Sequence, residues 1–287
     1  MTLPTLPLIG AHVSATGGLA TAIDNAERIG ARSIQFFGAS PRMWRALMPS
    51  AKNIDTYTER LRASSVKAVY LHAAYLVNLA SPDGELRAKS IKNLTEHLRI
   101  AEAVAADGLI FHIGSGKEMP KEKAMDKAVE AMRSILKDAP GQAKLVIENA
   151  AGGGQKLGAT AVEVGRMLDM LKSPRGAACF DTAHAFEAGV IEKYTPANIK
   201  KLVDEWGREV GLERLVALHV NDSKTAFNSH HDRHENIGEG YIGPDGFKNL
   251  AKEKRLWDKA WILEVPGFEG TGPDKKNIEI LKSCFTR

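Results

Sequence analysis

Residues 216–240 read VALHVNDSKTAFNSHHDRHENIGEG, and the fold is decided by whether the rest of the chain repeats what they show. Leu215, Val216, Ala217 and Leu218 have the length and β-branched content of a buried strand, and His219 stands where that strand would emerge. Asp232 and His234 follow on a polar loop. Alternate side chains of an extended segment point to the same side, so this pair could grip one ion while Arg233 faces away. Read alone, the loop has an ordinary alternative: solvated, turn-forming residues with no ligand to hold.

Short apolar runs recur along the whole chain and alternate with longer helical patterns. The candidate strands are 7–12 (PLIGAH), 33–37 (SIQFF), 68–72 (AVYLH), 108–113 (GLIFHI), 144–148 (KLVIE), 177–181 (AACFD), 215–219 (LVALH) and 260–264 (AWILE). Of the helical segments, 85–106 is the clearest, with Leu86, Leu94, Leu98, Ala101 and Val104 at helical spacing and Lys89, Lys92, Glu96 and Arg99 on other faces. Similar patterns cover 18–29, 53–65, 121–137, 160–172, 196–210 and 275–284. Eight strands alternating with helices predict a (β/α)₈ TIM barrel rather than an open sheet. The 287 residues fit a single such domain over 1–287, since these barrels take about 250.

Composition narrows the function class. The chain is 44% hydrophobic and 26% charged, which suits a folded domain with a sizeable core and excludes a disordered segment. No apolar run reaches the roughly 20 residues that span a bilayer, and MTLPTLPLIG lacks the charged-then-apolar pattern of a signal peptide. Cys179 and Cys284 lie far apart, and Cys179 sits in an apolar run where a free buried thiol is expected. These features predict a cytoplasmic protein with no membrane partner. The net charge of +4 permits a polyanionic partner without demanding one. The runs 117–123 and 137–144 read as solvated helix ends and loops.

Six candidate strands end, or nearly end, in a potential metal ligand: His72, His112, Glu148, Asp181, His219 and Glu264. In a parallel barrel those ends converge on the C-terminal rim, where barrel enzymes keep their active sites. Any one of them could be a helix cap or a loop anchor. Together with His184, Asp232 and His234 in the loops beyond, they form a set that would be poorly solvated and self-repelling unless cations held it. If one carboxylate bridges, nine residues supply about ten bonds, enough for about three ions. Imidazole and carboxylate without thiolate suit Zn²⁺ or Mn²⁺ better than Mg²⁺, and five imidazoles favour zinc.

Taken together, these residues and their flanking motifs make the chain resemble the endonuclease IV family of zinc-dependent apurinic/apyrimidinic endonucleases. The resemblance runs through GAHVSATGGL (10–19), PRMWR (41–45), HAAYLVNLASP (72–82), FHIGSG (111–116), VIENAAGGG (146–154), FDTAHAFEAG (180–189), LHVNDSK with DRHENIGEGYIG, and ILEVPG (262–267). It implies the TIM barrel and three zinc ions, with room for Mn²⁺ at one position. The first ion would be held by His72, His112 and Glu148. The second would be held by Glu148, Asp181, His219 and Glu264, with Glu148 bridging, and the third by His184, Asp232 and His234.

The implied reaction is hydrolysis of the phosphodiester 5′ to an abasic site in double-stranded DNA, leaving a 3′-hydroxyl, as in base excision repair. Removal of blocked 3′ ends is the expected companion activity. Zinc lowers the pKa of its water toward 7, so hydroxide is available at neutral pH. Glu148 and Glu264 are the implied catalytic carboxylates, with Glu264 orienting the hydroxide, and His12 is expected to support the ligands from behind. Arg42, Tyr75 and Leu76 match positions that penetrate DNA at the lesion. From the residues alone, the apolar AYLVNL would instead be core. The protein is expected to act as a monomer.

The chain departs from the family pattern at Gly38, Ala39 and Met43, which implies fewer phosphate contacts from that loop, and also at Ile113 and Ala150. Gly152, Gly153 and Gly154 suit a close backbone approach or a flexible turn. Two other readings compete. A sugar isomerase or epimerase of the related barrel type would use Glu148, Asp181, His219 and Glu264 but leave His72, His112, Asp232 and His234 unexplained. A DNA-lesion binding protein with a vestigial site would not need the complete ligand set.

Overall fold

The computed structural model describes residues 6–285. Seven strands, β1 (Leu8–His12), β2 (Ser33–Phe37), β3 (Ala68–His72), β4 (Gly108–Phe111), β5 (Lys144–Glu148), β6 (Gly176–Asp181) and β7 (Leu215–His219), are followed by a two-stranded ribbon, β8 (Asp222–Ser223) with β9 (His234–Glu235). β10 (Ala260–Leu263) then completes a closed barrel in the order β1-β10-β7-β6-β5-β4-β3-β2, with every barrel pair parallel. Each barrel strand is followed by at least one helix, so the predicted (β/α)₈ TIM barrel is the observed fold.

The period of two along each strand divides the core into two layers. Ile34, Val69, Leu109, Ile147, Phe180, Leu218 and Leu263 point outward and pack against the helices. Inside the barrel lie Ala68, Tyr70, Ile110, Val146, Ala177, Cys179, Ala217, Ala260 and Ile262. The interior alternation, continued two residues toward the C-terminal end, runs from Tyr70 to His72, Ile110 to His112, Val146 to Glu148, Cys179 to Asp181, Ala217 to His219 and Ile262 to Glu264. The same pleat that buries the inner core therefore aims six polar side chains at the rim axis. Gly10 is required within this packing, because a Cβ there would stand 1.6 Å from the carbonyl oxygen of Ser33.

Side-chain caps fix where the helices begin, which in turn sets the loop lengths. Ser50, Asp83, Thr160, Thr195 and Asp274 each accept a hydrogen bond from the first turn of the helix they precede. The expected helices lie within two or three residues of those observed, as with 53–65 against Ala51–Ala63 and 85–106 against Gly84–Ala103. The helices in chain order are α1 (Leu19–Ile29), α2 (Ala51–Ala63), α3 (Gly84–Ala103), α4 (Lys121–Asp138), α5 (Ala161–Leu171), α6 (Thr182–Glu187), α7 (Pro196–Glu209), α8 (Gly243–Leu250) and α9 (Lys275–Ser283), and the sequence patterns do not predict α6 and α8. Both cysteines are free, Cys179 buried and Cys284 partly so. No helix among the described residues is long and apolar enough to cross a membrane.

Candidate metal centre on the barrel rim

Glu148 is the centre of the rim. It ends β5, is 1% exposed, and has four imidazoles around its two oxygens. Oε2 lies 3.2 Å from His72 Nε2 and 3.3 Å from His112 Nε2, while Oε1 lies 2.8 Å from His219 Nδ1 and 3.2 Å from His184 Nδ1. The carboxylate thus presents one oxygen to each of two different sets, as a bridging ligand must. Glu264 Oε2 is 3.2 Å from His219 Nδ1, and Asp181 Oδ2 is 3.9 Å from the same nitrogen.

All nine expected ligands fall in this cluster. His72, His112 and Glu148 converge as one group, and Glu148, Asp181, His219 and Glu264 as another, with donor atoms within 4.8 Å of one another in each. The remaining three are drawn together less simply. His184 belongs both to a group with His112 and Asp232 and to one with Asp181 and His234, so this position borders the other two. Asp232 Oδ1 lies 3.2 Å from His184 Nε2 and 3.6 Å from His234 Nε2, which brings together the trio the resemblance implied, although their three donors do not form a group of their own. Arg233 is exposed and its guanidinium donates to Asp232 O, but it lines the cavity over the cluster rather than facing away as the alternation predicted.

The local placements differ in detail. His112 and Glu264 stand one residue past the ends of β4 and β10. His184 is on α6 rather than in a loop, and Asp181 both ends β6 and caps that helix by accepting from His184 N at 2.8 Å. His234 begins the short strand β9. The glycine run after β5 approaches the Asp232 loop closely: Gly152 and Gly153 have φ of 78° and 74°, and a Cβ on either would meet His230.

The chemistry of the donors fits metal ions. His72 Nδ1, His184 Nδ1 and His234 Nδ1 face the carbonyl oxygens of Ala73, Asn149 and Glu264, and His219 Nε2 faces Gln35 Oε1. For His72, His219 and His234 the contact occupies one nitrogen and turns the other into the cluster, the usual arrangement behind a metal-binding histidine, whereas His184 Nδ1 also faces Glu148 Oε1 at 3.2 Å. The inward Nε2 atoms of His184 and His234 are buried without a well-aligned hydrogen bond, with Asp232 Oδ1 at 3.2 and 3.6 Å, a place where an ion between the three would satisfy them all.

Electrostatics agree. Burial would raise the Glu148 carboxyl, but His112, His219 and His184 hold it well below the usual carboxylate range. Burial opposes charge on His184, yet Asp181, Asp232 and Glu148 push it well above the ordinary histidine value. His219 moves the same way, burial being outweighed by Cys179, Glu264 and Glu148. The cluster is held together by protons where ions can replace them.

Several supporting residues were invisible in the sequence. Asn149 exchanges two hydrogen bonds with the backbone of Asp181, and Asn221 donates to Asp181 Oδ2 at 2.7 Å while accepting from Glu264 N. Glu187, fully buried on α6, accepts from Ser223 Oγ at 2.7 Å and from Arg233 N at 3.2 Å, tying the Asp232 loop to the helix that carries His184. Burial lifts its carboxyl to about 7. His12 lies 3.5 Å from Glu264, in the supporting position expected of it.

The rim beside the cluster is a groove. A cavity of about 580 Å³ lies over the cluster between His72, Asp232 and Pro273. A second of about 420 Å³ adjoins it, lined by Tyr75, Leu76, Asn78, Ser115 and Lys156. Tyr75 is 70% exposed and Leu76 37%, whereas Ala74, Val77 and Leu79 are buried, so within AYLVNL the two residues singled out are the exposed ones, not core. Arg42 is also exposed, on a loop whose backbone is pinned from α3 (Gly84–Ala103): Asn93 Nδ2 donates to Trp44 O, and Glu96 accepts from Ala46 N.

Comparison with known proteins places this rim in context. The family described as "Xylose isomerase-like TIM barrel" matches residues 23–284. A protein of Halothermothrix orenii described as "Probable endonuclease 4" is 32% identical over 275 residues, covering 96% of this chain and 99% of its own. The chain belongs to the endonuclease IV family. The crystal structure of endonuclease IV from Thermus thermophilus superposes with a TM-score of 0.83 at 32% identity, covering 97% of this chain and 98% of that one. A D-tagatose 3-epimerase-like protein shares only the fold, with a TM-score of 0.67 at 19% identity over 96% of each chain.

Proposed function

We propose that the protein is a zinc-dependent DNA repair endonuclease that hydrolyses the phosphodiester 5′ to abasic sites in duplex DNA and clears blocked 3′ ends. The observation that carries this reading is the position of Glu148, whose two oxygens face separate sets of imidazoles across the rim. The homologues described as endonuclease 4 supply the substrate class. In this reading His72, His112 and Glu148 hold one ion, Glu148, Asp181, His219 and Glu264 a second, and His184, Asp232 and His234 a third. Zinc bound there would make hydroxide available at neutral pH and offset the negative charge that builds on the reacting phosphate.

The chain's own residues do the rest. Glu264, which lines the cavity, accepts a hydrogen bond from the attacking hydroxide and aims it at phosphorus, while Glu148 holds neighbouring sets in register. Tyr75 and Leu76 enter the stack where the abasic nucleotide offers no base, and Arg42 contacts the backbone. Opening the duplex costs least at a site already unpaired, which is the origin of selectivity. The barrel acts as one domain and as a monomer, with chemistry and recognition on the same rim. An epimerase of this fold would leave His72, His112, Asp232 and His234 without a task.

The test is incision of a duplex carrying one abasic site, with and without chelator. The expected result is a single cut on the 5′ side with a 3′-hydroxyl terminus, abolished by chelator and restored by zinc. A protein that binds the lesion without cutting, or cuts equally well after exhaustive chelation, would refute the proposal.

A further inference from the structure

One strand next to the cluster supplies no ligand, yet it carries a polar side chain inside the barrel. Gln35 on β2 is fully buried, with its amide nitrogen 2.5 Å from Glu264 Oε1 and 2.9 Å from His12 Nδ1, and its oxygen 2.8 Å from His219 Nε2. We infer that Gln35 is a positioning residue of this site: its amide fixes which nitrogen of His219 is bare and where the Glu264 carboxylate points. The inference rests on the reading above that Glu148, Asp181, His219 and Glu264 hold an ion.

Hydrogen-bond chemistry leaves one arrangement. An ionised carboxylate only accepts, so the amide nitrogen must face Glu264. The reverse orientation would set two acceptor oxygens 2.5 Å apart. With the nitrogen so placed, the amide oxygen faces His219, and because a carbonyl oxygen only accepts, His219 Nε2 must carry its proton. In the neutral ring Nδ1 is then the bare nitrogen. Nδ1 is the atom that lies 2.8 Å from Glu148 Oε1 and 3.2 Å from Glu264 Oε2, facing the centre of the ligand group. The same amide thus sets the donor atom of one ligand and the rotamer of another. His72, His184 and His234 are turned by main-chain carbonyls, which no substitution deletes. Among the imidazoles of the cluster for which such a contact is described, His219 alone depends on a side chain.

Gln35→Met keeps the side-chain length and much of the volume but removes both the donor and the acceptor. Two measurements decide the matter: long-range ¹⁵N–¹H correlation on histidine-labelled protein, and release of zinc to excess EDTA. In the parent protein the His219 Nε2 proton should be present and slow to exchange, with or without metal. In Gln35→Met that protection should vanish, and one zinc should leave about 10–100-fold faster while the others keep the parent rate, the usual effect of losing such a partner. A parent spectrum with Nε2 unprotonated would overturn the inference, and so would a Gln35→Met protein that releases all its zinc at the parent rate. If the variant fails to fold, the parent spectrum still decides. A parent that carries no zinc would defeat the metal reading, whereas the Nε2 proton, recorded on that metal-free sample, would still support or overturn the role of Gln35.

Discussion

Replacing Glu148 by glutamine removes one charge from the middle of the cluster with almost no change in volume. In the metal-free protein that carboxylate compensates imidazoles at 2.8, 3.2, 3.2 and 3.3 Å, all inside the barrel mouth. Removing one partner of a buried ion pair costs about 3–5 kcal/mol. At roughly 2 °C per kcal/mol for a chain of this size, the melting temperature of the chelated variant should fall by about 6–10 °C. Two of the three proposed ions share Glu148, so zinc content should drop from about three per chain to about one. Loss of several kcal/mol of charge stabilisation in the transition state corresponds to a turnover lower by about 10³-fold or more. Melting of chelated samples, elemental analysis and incision kinetics measure the three effects separately. Three zinc ions with turnover within about threefold of the parent would refute the bridging role.

Other perturbations test other parts. His184 and His219 are raised in the folded metal-free protein, so their stabilisation is complete below the unfolded value of 6.5 and is lost as pH rises through their folded values. Urea unfolding of chelated protein should therefore show declining stability above about pH 7, with the zinc-loaded form much flatter because ions replace those protons; rising stability in the chelated form would contradict this. Asp232→Ala should fold normally, since its side chain is partly exposed, yet lose one zinc and at least about tenfold in incision rate. Unchanged zinc and rate would remove Asp232 from the site. Truncating Tyr75 and Leu76 together to alanine should leave zinc content intact and weaken affinity for abasic duplex by at most a few kcal/mol, with discrimination against intact duplex shrinking alongside. Arg42→Ala should make the salt dependence of binding shallower by about one unit of slope, and binding isotherms over a salt series on both duplexes check both variants.

The barrel was legible because each of its strands is a short apolar run, and the rim cluster because the inward alternation ends in His, Asp or Glu on six of them. What escaped notice has physical reasons. α6 spans six residues, too few for a helical period to register, and it begins at an aspartate that also ends a strand. The sequence of α8, GPDGFKNL, is written in turn-forming residues. The ribbon pairing Asp222 with Glu235 is made across an intervening loop, so no local pattern announces it. Gln35 sits in SIQFF, where its polarity has no meaning until the sheet closes and the inner face becomes the barrel interior. Tyr75 and Leu76 could not be told from core by composition, because apolar side chains exposed on a rim look like apolar side chains anywhere.

The central claim is that this rim holds three zinc ions on nine residues, and anomalous scattering from crystals of the undialysed protein at the zinc absorption edge tests it most directly. The account predicts three peaks: one among His72, His112 and Glu148, one among Glu148, Asp181, His219 and Glu264, and one among His184, Asp232 and His234. A single peak, or none, in crystals of protein that incises abasic DNA at full rate would contradict it.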